Sequence, residues 1–460
     1  MFAHPNALKS SETVIHSHVS APGTGALRFA QQARESLGLK LTSRFPSLRN
    51  VNSLPPLSAL SWPVSRRVIV SLLAVLSLGL GAGCERKPAE SGIGAGTTTS
   101  SAQGSIKVGE FASLTGKEAT FGNSSHEGTL LAIEELNTAG GVLGRKLELV
   151  TEDNLSKAGE SATVVNKLID RDGVVAILGE VASSRSLEAA PICQQSKVPM
   201  ISPSSTNPKV TETGDYIFRV CFTDILQGRI LATFASKTLR AKKIAIFTDV
   251  KSDYSKGLAK YFKDNFVSSG GQVVAELDFN GGDKDFKAQL TAIKAANADA
   301  IFVPGYYTDA ALICIQAKQL GITTPLFGGD GWESEDLVKV GQEAVEGAYF
   351  STHCSAESPG DSVRNFVESY RKRFKNNDGT PKAPDAMAML GYDSVKILAD
   401  AIKRAGTTEG EKVRAALAAT RDFAGVSGKI TIDPKRDATK PMVILQIKGG
   451  QFKLVETVNP

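Results

Sequence analysis

From Ser105 onward, short β-forming runs alternate with longer runs of helical periodicity. The predicted strands are Ile106–Phe111, Lys146–Glu152, Val174–Leu178, Pro199–Ser202, Lys243–Asp249, Gln272–Phe279, Ala300–Pro304 and Leu326–Gly328. The predicted helices between them are Asn123–Ala139, Ala158–Arg171, Tyr254–Ser268, Phe286–Ala296 and Thr308–Leu320. Strands that alternate with helices in this way indicate βαβ units, in which parallel sheets are covered on both faces.

The strand–helix series begins a second time in the middle of the chain. One half opens with residues 106–109 and the other with residues 243–247, and a helix ending in a glycine pair follows each, at Gly140-Gly141 and Gly270-Gly271. The sequence therefore predicts an α/β fold of two Rossmann-like lobes with parallel-type sheets, joined by a hinge. Ligands of such sheets bind beyond the carboxyl ends of the strands, so a cleft between the lobes is the expected site.

The positive net charge is confined to one end of the chain. Residues 1–83 hold eight basic and two acidic side chains, which leaves 45 basic against 46 acidic in the remainder. A nucleic-acid-binding protein needs an excess of Lys and Arg to neutralise phosphates, and the predicted folded part has none. We therefore expect no nucleic-acid partner.

An apolar run, Val68–Leu80, follows Arg66-Arg67 and precedes Gly81-Ala82-Gly83-Cys84. The run is shorter than the roughly 20 residues that a spanning helix needs, and it has the order of a secretory signal. Because a cysteine directly follows the small residues, the segment resembles a bacterial lipoprotein signal, although Gly81 departs from the usual branched residue. The resemblance implies a signal peptide at 64–83 and lipid on Cys84.

The segments on either side of this signal differ in composition. Residues 1–63 do not fit a signal, and we expect translation to begin near Val64. Residues 84–104 are rich in Ser, Thr and Gly and are typical of a flexible tether. An acylated Cys84 would hold the folded domain at a membrane surface.

Catalytic and metal-binding motifs are missing from the sequence. It contains no C-x-x-C, no Cys/His cluster, no G-x-S-x-G and no H-E-x-x-H. Gly116-Lys117 is a fragment of a phosphate-binding loop without the required earlier glycine. His126 and His353 have no evident partner. We therefore predict that the protein is not an enzyme and that it has no catalytic residue, no bound metal and no cofactor.

Hydroxyl groups follow two predicted strands of the first half. Ser183 is expected to cap a helix after Val174–Leu178, and Ser204 and Thr206 lie in a proline-bounded loop after Pro199–Ser202. Helix N-termini and free N–H groups suit a carboxylate. Ordinary capping and turn chemistry explain either segment alone, whereas the two together suggest an anion-binding cradle.

An acid and aromatic residues follow two predicted strands of the second half. Tyr306 follows Ala300–Pro304, and Asp330 lies between glycines after Leu326–Gly328. A carboxylate near aromatic rings suits an ammonium group. The alternative is that Asp330 is only a turn residue.

From about Ser105 to Val458, the chain resembles the branched-chain amino acid (Leu/Ile/Val)-binding family, the type I periplasmic substrate-binding proteins of ABC transporters. The resemblance rests on residues 106–109, 114–116, 121–122, 140–149, 201–208, 218–219, 254–259 and 284–286, which keep the family's order and spacing. It implies the type I periplasmic binding protein fold.

The resemblance also implies roles for individual residues. The ligand carboxylate would be held by Ser183, the main chain of Ser204, and Thr206. The ammonium would be held by Asp330 with Tyr306. Aromatic walls correspond to Phe121 and Tyr254. Leu155 and Ala182 lie near the expected positions of the family's disulfide, so that bond is missing, and Cys193–Cys221 or Cys314–Cys354 pairing is left open.

The resemblance also implies how the chain is divided between the lobes. Lobe 1 would consist of residues 105–222 plus 354–432, and lobe 2 of residues 223–353 plus 433–460.

The implied function is capture of an amino acid, branched-chain or similar, and delivery to the permease of an ABC importer at the periplasmic or extracytoplasmic face of the cell envelope. The expected partners are the small amino-acid-like ligand, the permease subunits and, through the lipid on Cys84, the membrane, with the protein itself a monomer. The alternative is a ligand sensor for an amino acid, amide or related solute that uses the same cleft.

Overall fold

The structure, a computed structural model, describes residues 104–459. The predicted leader, the signal at 64–83 and the lipidated Cys84 lie outside these residues, as does the tether apart from Gly104. Within the described part of the chain, no helix is both long and apolar enough to cross a membrane.

The first lobe is built on a five-stranded sheet in which every pairing is parallel. Its strands, in the spatial order β2-β1-β3-β4-β5, are β1 (Ile106–Ala112), β2 (Leu147–Asp153), β3 (Ile177–Leu178), β4 (Met200–Ser202) and β5 (Ile217–Arg219). Six of the seven residues of β1 are buried, as expected for a central strand covered by helices on both faces.

The second lobe contains a seven-stranded mixed sheet. Its strands are β6 (Lys243–Asp249), β7 (Gln272–Phe279), β8 (Ala300–Phe302), β9 (Leu326–Gly328), β10 (Tyr349–Thr352), β14 (Met442–Lys448) and β15 (Gln451–Val458), in the spatial order β15-β14-β10-β9-β8-β6-β7. The strands from β7 to β10 pair in parallel, whereas β14 and β15 add antiparallel pairs at one edge.

Helices cover both sheets. The helices of the first lobe are α1 (Ala119–Thr138), α2 (Glu160–Asp170), α3 (Ser183–Ser196), α4 (Lys209–Glu212), α10 (Asp361–Arg373), α11 (Ala386–Ala405) and α12 (Gly410–Ala418). The helices of the second lobe are α5 (Asp224–Lys237), α6 (Asp253–Ser268), α7 (Lys287–Ala295), α8 (Tyr307–Gln319) and α9 (Glu335–Gly341). The α/β class with two lobes, predicted from the sequence, is confirmed.

The glycine pair predicted to end the first helix does so. Gly140 and Gly141 have backbone φ angles of 97° and 80°, which residues other than glycine rarely adopt. The Gly141 N–H donates to the Leu136 carbonyl at 2.8 Å, so a carbonyl left open at the helix end is satisfied. The chain then turns into β2.

The chain passes between the lobes three times, after β5, after β10 and before β14. Before the last passage, β11 (Phe423–Gly425), β12 (Gly428–Ile432) and β13 (Ala438–Thr439) form a small antiparallel sheet. Ala438 packs with Ile430 in the core of the first lobe. The division at 432/433 stays a prediction, and we propose that the first lobe continues to Thr439.

The four described cysteines are buried and free, so neither pairing left open from the sequence is present. Arg185 of α3 is buried and donates to the Ser156 carbonyl at 2.9 Å. The expectation that the two histidines of the folded part lack partners needs correction. His126 has a partner, since its Nδ1 lies 2.5 Å from a Glu110 carboxylate oxygen.

Candidate functional site

The hydroxyl groups of the first lobe lie at the carboxyl ends of β3 and β4. Helix α3 begins at Ser183, and the capping position belongs to Ala182, so the prediction that Ser183 is the N-cap is wrong by one residue. Ser183 is buried, and its Oγ accepts a hydrogen bond of 3.3 Å from the Asn207 N–H. This contact joins the start of α3 to the loop that follows β4.

The loop after β4 is fixed by a buried polar network. Ser205 donates from Oγ to the Glu180 carbonyl at 2.8 Å, and Arg219 donates to the carbonyls of Ser205 and Asn207. Ser204 and Thr206, on either side of Ser205, are themselves buried. The Thr206 hydroxyl makes no hydrogen bond of ordinary geometry to another described residue, although it lies near enough to the buried Asp224 carboxyl to lower the pKa of that group.

The second lobe places its aromatic residues opposite this loop. Tyr254 lies in the first turn of α6, and Tyr306 directly precedes α8. Their rings stack with centroids 5.2 Å apart and an interplanar angle of 12°. The Gly331 N–H donates to the Tyr254 hydroxyl at 3.1 Å, which ties this stack to the turn that carries Asp330.

Asp330 starts a 3-10 turn, Asp330–Trp332, directly after β9 and is buried. Its Oδ1 accepts from the Gln227 side chain at 2.8 Å, and its Oδ2 lies 3.1 Å from His353 Nε2. A buried carboxylate requires such donors. Trp332 belongs to the hydrophobic core, where its Nε1 donates to the Val303 carbonyl at 2.9 Å.

Phe121 reaches from α1 of the first lobe to the aromatic residues of the second. Its ring makes edge contacts with Tyr306 and Tyr307, with centroids 5.7 and 4.9 Å away. All seven residues singled out from the sequence therefore lie at or beside the contact between the lobes, and their roles toward a ligand remain a proposal.

Four polar residues of this region carry no motif in the sequence. Glu180, Asp224, Gln227 and His353 are all buried. Glu180 accepts hydrogen bonds from Ser113 and from the Ala182 N–H. Only its place two residues after a predicted strand distinguishes Glu180 in the sequence. Asp224 and Gln227 lie in the first turn of α5, which carries no distinctive pattern.

Burial dominates the electrostatics of these acids. It raises the pKa of Glu180 to about 7, and the nearby Glu118 carboxyl adds to the shift. Burial likewise raises the pKa of Asp224 well above its usual range, with a further contribution from Asp330. The pKa of Tyr254 also rises because of burial and then because of Asp330, so the phenol stays protonated as a hydrogen-bond donor. One such acid thus lies on each side of the contact, Glu180 in the first lobe and Asp224 in the second, and both hold their proton more readily than a free carboxyl does.

A cavity of about 420 Å³ opens between the lobes beside the site. Its walls include Ala182 and Arg185 from the first lobe and Ser252 and Tyr306 from the second. Arg185 Nε lies 3.6 Å from a Glu118 oxygen, and both groups are buried. Tyr306 is thus the residue that this cavity shares with the seven singled out from the sequence.

Two α/β lobes that meet at the carboxyl ends of their strands, with hydroxyls on one side and an acid on the other, define a two-lobed solute-binding protein. The chain matches the family model described as "Periplasmic binding protein" over residues 105–451. It belongs to that family, and its fold is the type I form. The family consists of substrate-binding proteins and is not an enzyme family.

Known relatives agree with this assignment. The chain is 31% identical over 339 residues to a leucine-, isoleucine-, valine-, threonine- and alanine-binding protein of Pseudomonas aeruginosa, covering 74% of this chain and 88% of the relative. It is 42% identical to the structure of a leucine-binding protein of Thermotoga maritima, with a TM-score of 0.74 and coverage of 77% and 99%. It is 35% identical to a branched-chain amino acid transporter substrate-binding protein of Streptococcus pneumoniae, solved with isoleucine, with a TM-score of 0.72 and coverage of 77% and 100%.

Proposed function

We propose that this protein captures an amino acid, branched-chain or similar, between its lobes and delivers it to the permease of an ABC importer. The observation that carries the proposal is the placement of Ser183, Ser204 and Thr206 opposite Asp330 at one lobe contact. The relatives named above, whose names state leucine, isoleucine or branched-chain amino acids, support the same class of ligand.

The two ends of an amino acid require opposite chemistry, and the two lobes supply it. The N-terminus of α3 and the hydroxyls of Ser183 and Thr206 suit the carboxylate, with the Ser204 main chain beside them. Asp330 suits the ammonium, because charge-assisted hydrogen bonds are the strong ones. The rings of Phe121, Tyr254 and Tyr306 would bound the side chain.

Closure follows from this division. A zwitterion that touches both lobes binds the closed form more tightly than the open form, and this difference in affinity shifts the population toward closure. The closed arrangement of the two lobe surfaces would then be the form that the permease recognises.

We further propose that the protein is a lipoprotein on the extracytoplasmic side of a membrane. The support is the sequence pattern of residues 64–84, with Arg66-Arg67, a short apolar run and Cys84. The small polar residues of 84–104 would then act as a tether long enough for the lobes to reach a permease in the same membrane.

Calorimetric titration with matched ligands tests the proposal. L-leucine, L-isoleucine and L-valine should bind, whereas 3-methylbutylamine, which lacks the carboxylate of leucine, and 4-methylpentanoate, which lacks its ammonium, should each bind at least about a hundredfold more weakly. Binding of 4-methylpentanoate as tight as that of leucine would remove Asp330 from the ammonium site. Turnover of a bound amino acid would contradict a pure binding function.

A further inference from the structure

His353 lies where the chain leaves β10 for the first lobe, and it contacts both halves of the candidate site. Its Nε2 lies 2.9 Å from Ser204 Oγ in the first lobe and 3.1 Å from Asp330 Oδ2 in the second. The imidazole is buried and stacks on Phe222 with ring centroids 4.0 Å apart. One nitrogen atom therefore connects the proposed carboxylate and ammonium subsites.

The surroundings of the ring determine which nitrogen carries its proton. His353 Nδ1 has no hydrogen-bond partner among residues 104–459. A proton there would leave a buried N–H unsatisfied and would turn the lone pair of Nε2 toward the Asp330 carboxylate, which is repulsive. We therefore assign the proton to Nε2, from which it is donated to Asp330 and shared with the Ser204 oxygen.

With the proton on Nε2, the hydrogen-bonding roles of Asp330 and Ser204 are both defined. Asp330 receives donors on both oxygens, from Gln227 on Oδ1 and from His353 on Oδ2, so its orientation is fixed. Ser204 Oγ accepts from the imidazole, so its own hydrogen remains available to donate elsewhere. The contact thus orients an acceptor on one side of the cleft and a donor on the other.

We propose that His353 is a positioning residue of the amino-acid site, which fixes the Asp330 carboxylate and the Ser204 hydroxyl for a zwitterionic ligand. The inference rests on the proposed function and deepens it. No sequence motif marks His353, and its role follows from the two contacts of its Nε2 together with the unpaired Nδ1.

The charged groups around the ring predict how binding depends on pH. Asp330 faces Nε2 from the turn after β9, and the buried ammonium of Lys440 acts on the ring from the last passage between the lobes. The face against Phe222 is apolar. Burial lowers the pKa of His353 from its usual 6.5, although Asp330 opposes the shift, so the ring is neutral at pH 7. Below its pKa, the imidazolium competes with the ligand ammonium for Asp330, and affinity should fall.

Two substitutions and a pH series separate positioning from a merely structural role. Replacing His353→Leu removes the donor and should weaken binding of L-leucine, L-isoleucine or L-valine by about tenfold or more at about pH 7.5. Replacing His353→Gln keeps an N–H donor that does not titrate, so affinity should stay within about threefold. As the pH is lowered from about 7.5, wild-type affinity should fall with protonation of the imidazole, and that of His353→Gln should fall much less over the same range.

Each result is decisive. Wild-type-like binding by the leucine variant, or the same pH profile for wild type and the glutamine variant, would overturn the inference while leaving the proposed function standing. If His353→Leu fails to fold, as judged by thermal unfolding, the comparison of wild type with His353→Gln across pH decides alone. Failure of the wild-type protein to bind any of the three amino acids at about pH 7.5 would contradict the proposed function itself.

Discussion

Arg219 Nε lies 2.7 Å from Asp437 Oδ1, which joins the end of β5 to the segment that precedes β13. The guanidinium is fully buried and also donates to the main-chain carbonyls of Ser205 and Asn207. One arginine thus holds the loop that carries Ser204 and Thr206 against a distant part of the chain.

Replacing Arg219→Met should lower the free energy of unfolding by about 3 kcal/mol or more, because it leaves Asp437 and two carbonyls without their partner. Urea unfolding followed by circular dichroism measures the change. The matched control is Arg373→Met, whose guanidinium pairs with Glu134 at 2.9 Å but is 48% exposed. That exposed pair should contribute less than about 1 kcal/mol. Equal losses for the two variants would contradict the role given to Arg219.

Asp330→Asn should reduce amino-acid affinity by about a hundredfold, since it removes the negative charge expected to bind the ammonium. Calorimetric titration gives the dissociation constant, and circular dichroism checks that the fold is intact. Asp264→Asn is a suitable control, because Asp264 pairs with Lys260 on the solvent-exposed side of α6. An unchanged affinity for Asp330→Asn would remove Asp330 from the site.

Thr206→Val should weaken amino-acid binding by about tenfold without destabilising the fold. The substitution preserves shape, and the hydroxyl that it removes makes no hydrogen bond of ordinary geometry within the described residues. Thr213→Val serves as the control, because the Thr213 hydroxyl donates only to the carbonyl of Lys209. A loss of stability with no loss of affinity would show that Thr206 has a structural role instead.

Cys84→Ala should move the protein from the membrane fraction to the soluble envelope fraction, because the substitution removes the thiol on which lipid is expected. Fractionation of expressing cells, followed by immunoblotting, measures the distribution. Cys193→Ala is the control, since Cys193 is buried in the first lobe. Membrane association that persists in Cys84→Ala would contradict lipid anchoring at this residue.

Local sequence signals predict most strands of the two parallel sheets but not the strands near the C-terminal end of the chain. The bounds of β6, β7 and β9 agree with those expected from the sequence, because each strand is a β-rich run ended by turn residues. The predicted strands do not include β5 or β10 to β15. The pairing of β14 with β10 is distant along the chain, since β14 adds to β10 after the whole α10–α12 segment has passed through the first lobe, whereas β14 and β15 form a local hairpin.

The residue pattern located the site residues that follow strands, and the family resemblance added Phe121 and Tyr254, which lie in helices. Ser204 and Asp330 could be located because the ends of parallel strands meet at one edge of a sheet. Gln227, from helix α5, and His353, from the end of β10, both contact the Asp330 carboxylate. The residues next to them in the sequence form no pattern that predicts these contacts. Such contacts depend on how the two lobes pack, which is why sequence patterns did not find them.

Glu180→Gln should make stability less dependent on pH. The folded protein keeps a proton on Glu180 up to about pH 7, whereas an unperturbed glutamate loses it near 4.5. Between these values the native state binds more protons than the unfolded state, so the free energy of unfolding decreases as pH rises through this window. Burial raises the pKa of Glu333 to about 8, which acts in the same direction, so part of the slope should remain in the variant. Urea unfolding at about pH 5 and about pH 8 measures the slope. Glu343→Gln, at a side chain that is 90% exposed, should leave that slope unchanged. A slope in Glu180→Gln equal to that of the wild type would mean that this carboxyl titrates normally in the folded protein.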